Sequence, residues 1–116
     1  MKPSEYPQEF LEFVKLFNAG KFFEAHEVLE PLWRKEKEDR RDFYQGLIQI
    51  AAVFVHIGKG TPAGGTKLFE SAGKYLKKYG PLFMDIEVEK LLSETQSCLA
   101  SNAPSPQIDR IRLKTL

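Results

Sequence analysis

The sequence predicts an all-α fold: a single compact bundle of about five helices with a buried central helix and an extended C-terminal tail. Apolar residues recur at helical spacing in segments that glycine, proline and asparagine turn signals separate. The uncharged run from Phe43 to Gly58 is apolar over most of a helix circumference, which is typical of a helix at the centre of a bundle. No pair of strands joined by a hairpin turn is recognisable.

Composition narrows the class of protein. The chain has 116 residues, a length that fits one domain with a real core. Its 17 Lys and Arg residues balance 16 Asp and Glu residues, which argues against a nucleic-acid binder. A single cysteine cannot form an internal disulfide, which favours a reducing compartment. With no export signal and no apolar run of about 20 residues, we expect a cytoplasmic protein that binds neither nucleic acid nor a membrane.

The first two helices follow from apolar spacing. The first begins near Pro7 and ends at the turn Asn18-Ala19-Gly20, and its apolar face is Phe10, Phe13, Val14 and Phe17. The second runs from about Phe22 to Glu36 with Pro31 inside it. At about 100° per residue its apolar residues form one broad arc, consisting of Phe22, Ala25, Val28, Leu29, Leu32 and Trp33.

Capping signals place the next three helices. The central helix is expected from about Arg40 to Ile57, with Asp39 as its N-cap. Thr61 before Pro62 predicts the start of a fourth helix that runs to Tyr79. Asp85 is the expected cap of a fifth helix. The predicted domain therefore covers residues 1–100, and the proline-containing segment 101–116 is predicted to be an extended tail.

Two polar groups stand out against this apolar pattern. On the second helix, His26, Glu30 and Trp33 share one face at the edge of the apolar arc. On the central helix, Gln45, Gln49 and His56 form a stripe without Lys or Glu. A solvated helix face is one interpretation of this stripe. We favour the other, in which the two groups meet across the packed helices, largely hidden from water, and satisfy each other's hydrogen bonds.

The same residues open a metal hypothesis. Two imidazoles and one carboxylate are a common ligand set for first-row metals, and His26, Glu30 and His56 supply one such set. A hydrogen-bond network within the protein accounts for the same residues without a metal.

A longer pattern resembles a known family. The residues that carry the resemblance are Gly20–Glu30, Trp33, Phe43–Gln49, His56 and the turn Gly60–Gly64. They are similar to the small all-helical proteins called domain of unknown function 309, from Phe17 to about Leu76. The resemblance implies a compact helical bundle without an established activity, and its signature residues fall on His26, Glu30, Trp33, Gln45, Gln49 and His56. Thr61 departs from the family pattern, in which Asn is usual.

The function expected from the sequence is a non-catalytic binding or interaction module, with a polar site between the second and third helices. No residue is assigned a catalytic role, and no cofactor is expected. The alternative is a metal-binding or metal-dependent hydrolase-like protein, with a divalent metal held by His26, Glu30 and His56. The expected partner is a protein or small molecule that the sequence does not identify, and self-association stays open.

Overall fold

A computed structural model describes residues 6–101, and within this range the all-α prediction is confirmed. The helices are α1 Gln8–Asn18, α2 Phe22–Lys35, α3 Arg40–Gly58, α4 Pro62–Leu76 and α5 Val88–Ser101. A 3-10 turn at Lys77–Tyr79 follows α4, and two short strands, β1 Leu82–Phe83 and β2 Ile86–Glu87, precede α5. The predicted tail lies outside the described residues from position 102 onwards.

α1 buries all four residues that its spacing predicts. α2 buries three of its predicted six, and the other three, Phe22, Val28 and Trp33, are partly buried against the core. α1 turns Phe10, Phe13, Val14 and Phe17 into the core. α2 buries Ala25, Leu29 and Leu32, and it continues through Pro31 to Lys35. The periodicity of apolar residues is therefore sufficient to orient both helices, because each of them has one buried face.

The central helix is confirmed as the core of the bundle. α3 lies against both α2 and α4, and nine of its residues are buried. Its approach to α4 is close at Gly46, where an added Cβ would lie 2.4 Å from Leu76 Cγ. Within residues 6–101, no helix is both long and apolar enough to cross a membrane.

The predicted helix caps are in position but do not act as side-chain caps. Asp39 immediately precedes α3 and Thr61 immediately precedes α4. Neither side chain hydrogen-bonds to a free amide of the helix that follows. The fourth helix also ends earlier than expected, because its last predicted turn, Lys77–Tyr79, is a 3-10 turn.

A small hairpin corrects two sequence predictions. β1 and β2 pair antiparallel, with Leu82 opposite Glu87 and Phe83 opposite Ile86. Met84 and Asp85 form the turn, with φ angles of 49° and 62°. Two-residue hairpin loops of this kind require positive φ at both central residues, and glycine or asparagine usually provides it. The prediction of no hairpin was wrong because Met84 gives no such signal, and Asp85 belongs to this turn rather than to the cap of α5.

The hairpin turn is tied to the start of the described chain. The Tyr6 hydroxyl donates a hydrogen bond to Asp85 Oδ2 at 2.9 Å. Burial, followed by this hydrogen bond and by the negative charge of Asp85, raises the pKa of Tyr6 from 10.0 to about 12. In the unfolded chain Tyr6 ionises at lower pH than in the folded one. Its contribution to stability is therefore complete below about pH 10 and is lost as the pH rises through about 12.

We expect Asp85→Asn to shift the ionisation of Tyr6 to lower pH, because the carboxylate charge that opposes the tyrosinate is removed. The measurement is a titration of tyrosinate absorbance, with Tyr6→Phe as the control that removes this step. The pKa values of Tyr44 and Tyr79 are also raised, chiefly by burial, so the comparison with Tyr6→Phe is needed. Identical titration curves for Tyr6→Phe and the unmodified protein would contradict the assignment.

Candidate functional site

The structure brings the two histidines to one pocket. His26 of α2 and His56 of α3 both line a shallow pocket of about 150 Å³ on the face that the two helices share. Phe23, Ala52, Val55 and Lys59 complete its lining. Two residues on different helices that the sequence could only pair by hypothesis therefore do belong to one surface feature.

On the α2 side, His26 is held between an aromatic ring and a carboxylate. The Phe23 ring stacks on the imidazole with 6.1 Å between the ring centroids. His26 Nε2 lies 3.7 Å from Glu30 Oε2, and the two side chains are 29% and 30% exposed. Glu30 also forms an ion pair with Arg34 one turn further along. The His26–Glu30 pair is therefore half-open to solvent rather than enclosed, and Arg34 compensates the charge of the carboxylate.

On the α3 side, His56 is anchored by the turn that leads to α4. His56 Nδ1 lies 2.9 Å from the Thr61 hydroxyl, and the Thr61 amide donates to the carbonyl of His56 at 2.9 Å. The imidazole rests on Gly64, where an added Cβ would lie 2.9 Å from ring atoms Cε1 and Nδ1. Thr61 therefore positions the histidine ring, and Gly64 provides the space that this position needs.

The other predicted residues lie outside the pocket lining. The Arg41 guanidinium lies 4.6 Å from the centroid of the Trp33 ring. Trp33 Nε1 and Gln49 Oε1 are buried without a hydrogen-bond partner among the described residues, as is Nδ1 of the pocket residue His26. Gln45 is half-buried. The structure thus separates the predicted set into a histidine pocket and a part that packs elsewhere along α2 and α3.

The predicted site left out four of the lining residues, Phe23, Ala52, Val55 and Lys59. Phe23 had a detectable signal, because at about 100° per residue it lies with Glu27 and Glu30 on the polar side of α2, an unusual place for a phenylalanine. Its side chain is 55% exposed. Lys59 follows α3 directly and makes no ion pair with any residue in the described range.

The sequence also suggested His26, Glu30 and His56 as ligands for a divalent metal. In residues 6–101, no group of three His, Cys, Asp or Glu side chains converges closely enough to hold a metal ion. Glu30 is engaged by Arg34, and His56 Nδ1 faces Thr61. The described side chains therefore offer at most the two imidazoles at the pocket.

Comparison with known proteins identifies the family. The family described as "Domain of unknown function (DUF309)" matches residues 10–68, which is just over half of the chain. The chain belongs to the DUF309 family. The matched DUF309 segment reaches from α1 into α4 and contains every predicted site residue, including both histidines of the pocket.

The DUF309 relatives carry no activity in their names. The "Uncharacterized protein YpuF" of Bacillus subtilis is 28% identical over 74 residues, which are 62% of this chain and 42% of that protein. An "Uncharacterized protein" of Aquifex aeolicus is 35% identical over 57 residues, which are 48% of this chain and 17% of that protein. The chain thus spans less than half of each relative. No solved structure matches it significantly.

Proposed function

We propose that this chain is a non-catalytic binding module that recognises a segment of a partner protein at the pocket between α2 and α3. The observation that carries the proposal is Phe23, a large aromatic side chain that is 55% exposed at the edge of the pocket. Exposed aromatic residues are enriched among the anchors that dominate protein–protein binding energy. Burial of the Phe23 ring under a partner would remove a large apolar area from water.

The size of the pocket supports a protein segment over a larger ligand. Pockets that enclose cofactors or drug-sized ligands have about 300–1,000 Å³, whereas this one has about 150 Å³. That volume suits a single inserted side chain. His26, His56 and Lys59 stand around it as groups that can form hydrogen bonds to the inserted residue.

The lining also supports a binding role. Among the described lining residues there is no Ser, Cys, Asp or Glu. The proposal assigns hydrogen bonding rather than nucleophilic attack to Lys59 and the two histidines, and it places no bond-making step at the pocket. The anchored His56 ring and the stacked His26 ring present a preorganised surface, which lowers the cost of ordering these side chains on binding.

The experiment is a selection of peptides from a displayed library on the immobilised full chain. We expect the selected peptides to lose at least about 30-fold in affinity on Phe23→Ala, which corresponds to the roughly 2 kcal/mol of a hot-spot residue. The matched control is Leu82→Ala, because Leu82 is 45% exposed on the hairpin and lies outside this pocket. Failure to select peptides that depend on Phe23, or an equal loss on Leu82→Ala, would contradict the proposal.

A metal-binding role is the second candidate, and one observation favours it: His26 and His56 line the same pocket. Imidazole suits several first-row metals. The predicted carboxylate ligand, however, is paired with Arg34. A divalent metal would therefore rest on the two imidazoles or would have to displace the Glu30–Arg34 ion pair.

A further inference from the structure

A second surface feature lies between α4 and α5, in the C-terminal half of the described residues. It is a half-open groove of about 500 Å³, a volume within the range of ligand sites. Its floor is apolar, with Phe69 and Gly73 from α4 and Leu92 from α5. The family match ends at residue 68, so the groove is built from residues beyond the segment that defines the family.

Gly73 is the first observation that points to an occupant. It lies inside α4, where glycine is less favourable than alanine. Packing among residues 6–101 does not require it, because in that range an added Cβ would meet only Lys77 Cε, at an ordinary contact distance of 3.8 Å. What a side chain here would fill is the floor of the groove. Because glycine has no side chain, the backbone of a bound segment can approach α4 closely at this position.

Charge is the second observation. Lys74 and Lys77 stand along the α4 side of the groove, and neither forms an ion pair with any residue of the described range. The α5 side contributes the neutral Ser93 and Gln96, and among the described lining residues Glu70 is the one that is acidic. The rim is therefore net positive and is complementary to an acidic partner.

The dimensions indicate the shape of that partner. From Phe69 to Lys77 the α4 side of the groove extends about 12 Å, or roughly two helical turns. We propose that this groove docks an amphipathic helix of a partner protein whose apolar stripe is edged by Asp or Glu side chains. The apolar stripe lies over Gly73 and Leu92, and its acidic edge faces Lys74 and Lys77. The proposal is independent of the histidine pocket.

The chain itself offers an alternative occupant, which its charge disfavours. Beyond the described residues, the sequence has the apolar residues Ile108, Ile111 and Leu113 among Arg110, Arg112 and Lys114, with Asp109 as the one acidic neighbour. A basic segment would meet a rim that is already positive, and like charges at an interface oppose association. The complementary occupant is therefore an acidic helix from another protein.

The test uses a synthetic amphipathic helical peptide with one leucine stripe, made in a Glu-edged and a Lys-edged form. We expect the Glu-edged form to bind the full chain at least about threefold more tightly at low salt, with the difference shrinking as salt is added. Fluorescence anisotropy gives the affinities. Amide chemical shifts in NMR spectra report the location, and we expect changes at Gly73 and Leu92.

Three variants locate the contact. Gly73→Leu should weaken binding at least about tenfold by filling the floor, while Lys74→Glu should remove the preference for the Glu-edged peptide. Lys67→Glu is the matched control, since Lys67 is exposed on the same helix and outside the groove lining, and it should retain the preference. Phe23→Ala should also leave it intact.

Several results would overturn the proposal. Equal affinity for the two peptides would refute the acidic edge, and unchanged Gly73 and Leu92 shifts would refute the location. An effect of Lys67→Glu equal to that of Lys74→Glu would show that only the overall charge matters. Peptide-induced shifts at Ile108 and Ile111 that accompany those at Gly73 would identify the chain's own C-terminal segment as the occupant.

Discussion

Replacing Phe54 with alanine is expected to lower the free energy of unfolding by about 3–5 kcal/mol. Phe54 is 4% exposed on α3. Its ring centroid lies 5.6 Å from that of Phe17 and 5.0 Å from that of Phe22. Truncation removes this buried surface and leaves a cavity where α1, α2 and α3 meet, so both transfer and cavity costs apply. Urea unfolding of the two proteins measures the loss.

The control for this prediction is the same chemical change at Phe23. Because its ring is 55% exposed, we expect Phe23→Ala to alter the free energy of unfolding by no more than about 0.5 kcal/mol. Leu47→Ala tests the same core at a fully buried aliphatic site, with an expected loss of about 2–5 kcal/mol. Losses below about 0.5 kcal/mol at both Phe54 and Leu47 would mean that α3 is not the core of the bundle.

The second large effect is expected at Gly46 of α3, against which the Leu76 side chain of α4 packs. An added Cβ would lie 2.4 Å and 2.6 Å from Leu76 Cγ and Cδ2, and Leu76 is fully buried. The clash must push the helices apart or force Leu76 out of its rotamer, at a cost of about 1–3 kcal/mol for overpacking. We expect Gly46→Ala to be destabilising despite the higher helix propensity of alanine, as measured by thermal and urea unfolding.

Two comparisons isolate the clash. Gly58→Ala makes the same change at the last residue of α3, where no other described part of the chain lies within 4 Å of the added Cβ, so no loss of stability is expected. Adding Leu76→Ala to Gly46→Ala removes the clashing atoms, and the double mutant should be non-additive by about 0.5–3 kcal/mol. Simple additivity of the two substitutions would show that they do not share this contact.

The helices of the bundle were accessible from local patterns. α1 buries the apolar set that its spacing indicates, because a helix with a single buried face shows that face in its own sequence. The hairpin Leu82–Glu87 was not accessible. Its turn, Met84–Asp85, contains neither glycine nor asparagine, and its strands of two residues each are too short to show alternation.

The candidate site, like the fold, was predictable from the sequence only in part. Periodicity placed His26 and Glu30 on one face of a single helix, and the structure places their side-chain atoms 3.7 Å apart. The pairing of His26 with His56 depends on how α2 lies against α3, and spacing within one helix contains no information about that. For the same reason, the sequence did not separate Trp33 from the histidine pocket.

The sequence by itself determined the fold class, the central position of α3 and the polar residues that belong to the DUF309 pattern. These properties follow from the residue types and from their spacing along a single helix. Only the tertiary structure decided that Phe23 and Lys59 join the two histidines, that Thr61 holds His56 instead of capping α4, and that α4 and α5 leave a groove over Gly73. Each of these depends on distances between separate secondary-structure elements. The packing of the elements determines those distances, and the spacing of residues within one helix contains no information about them.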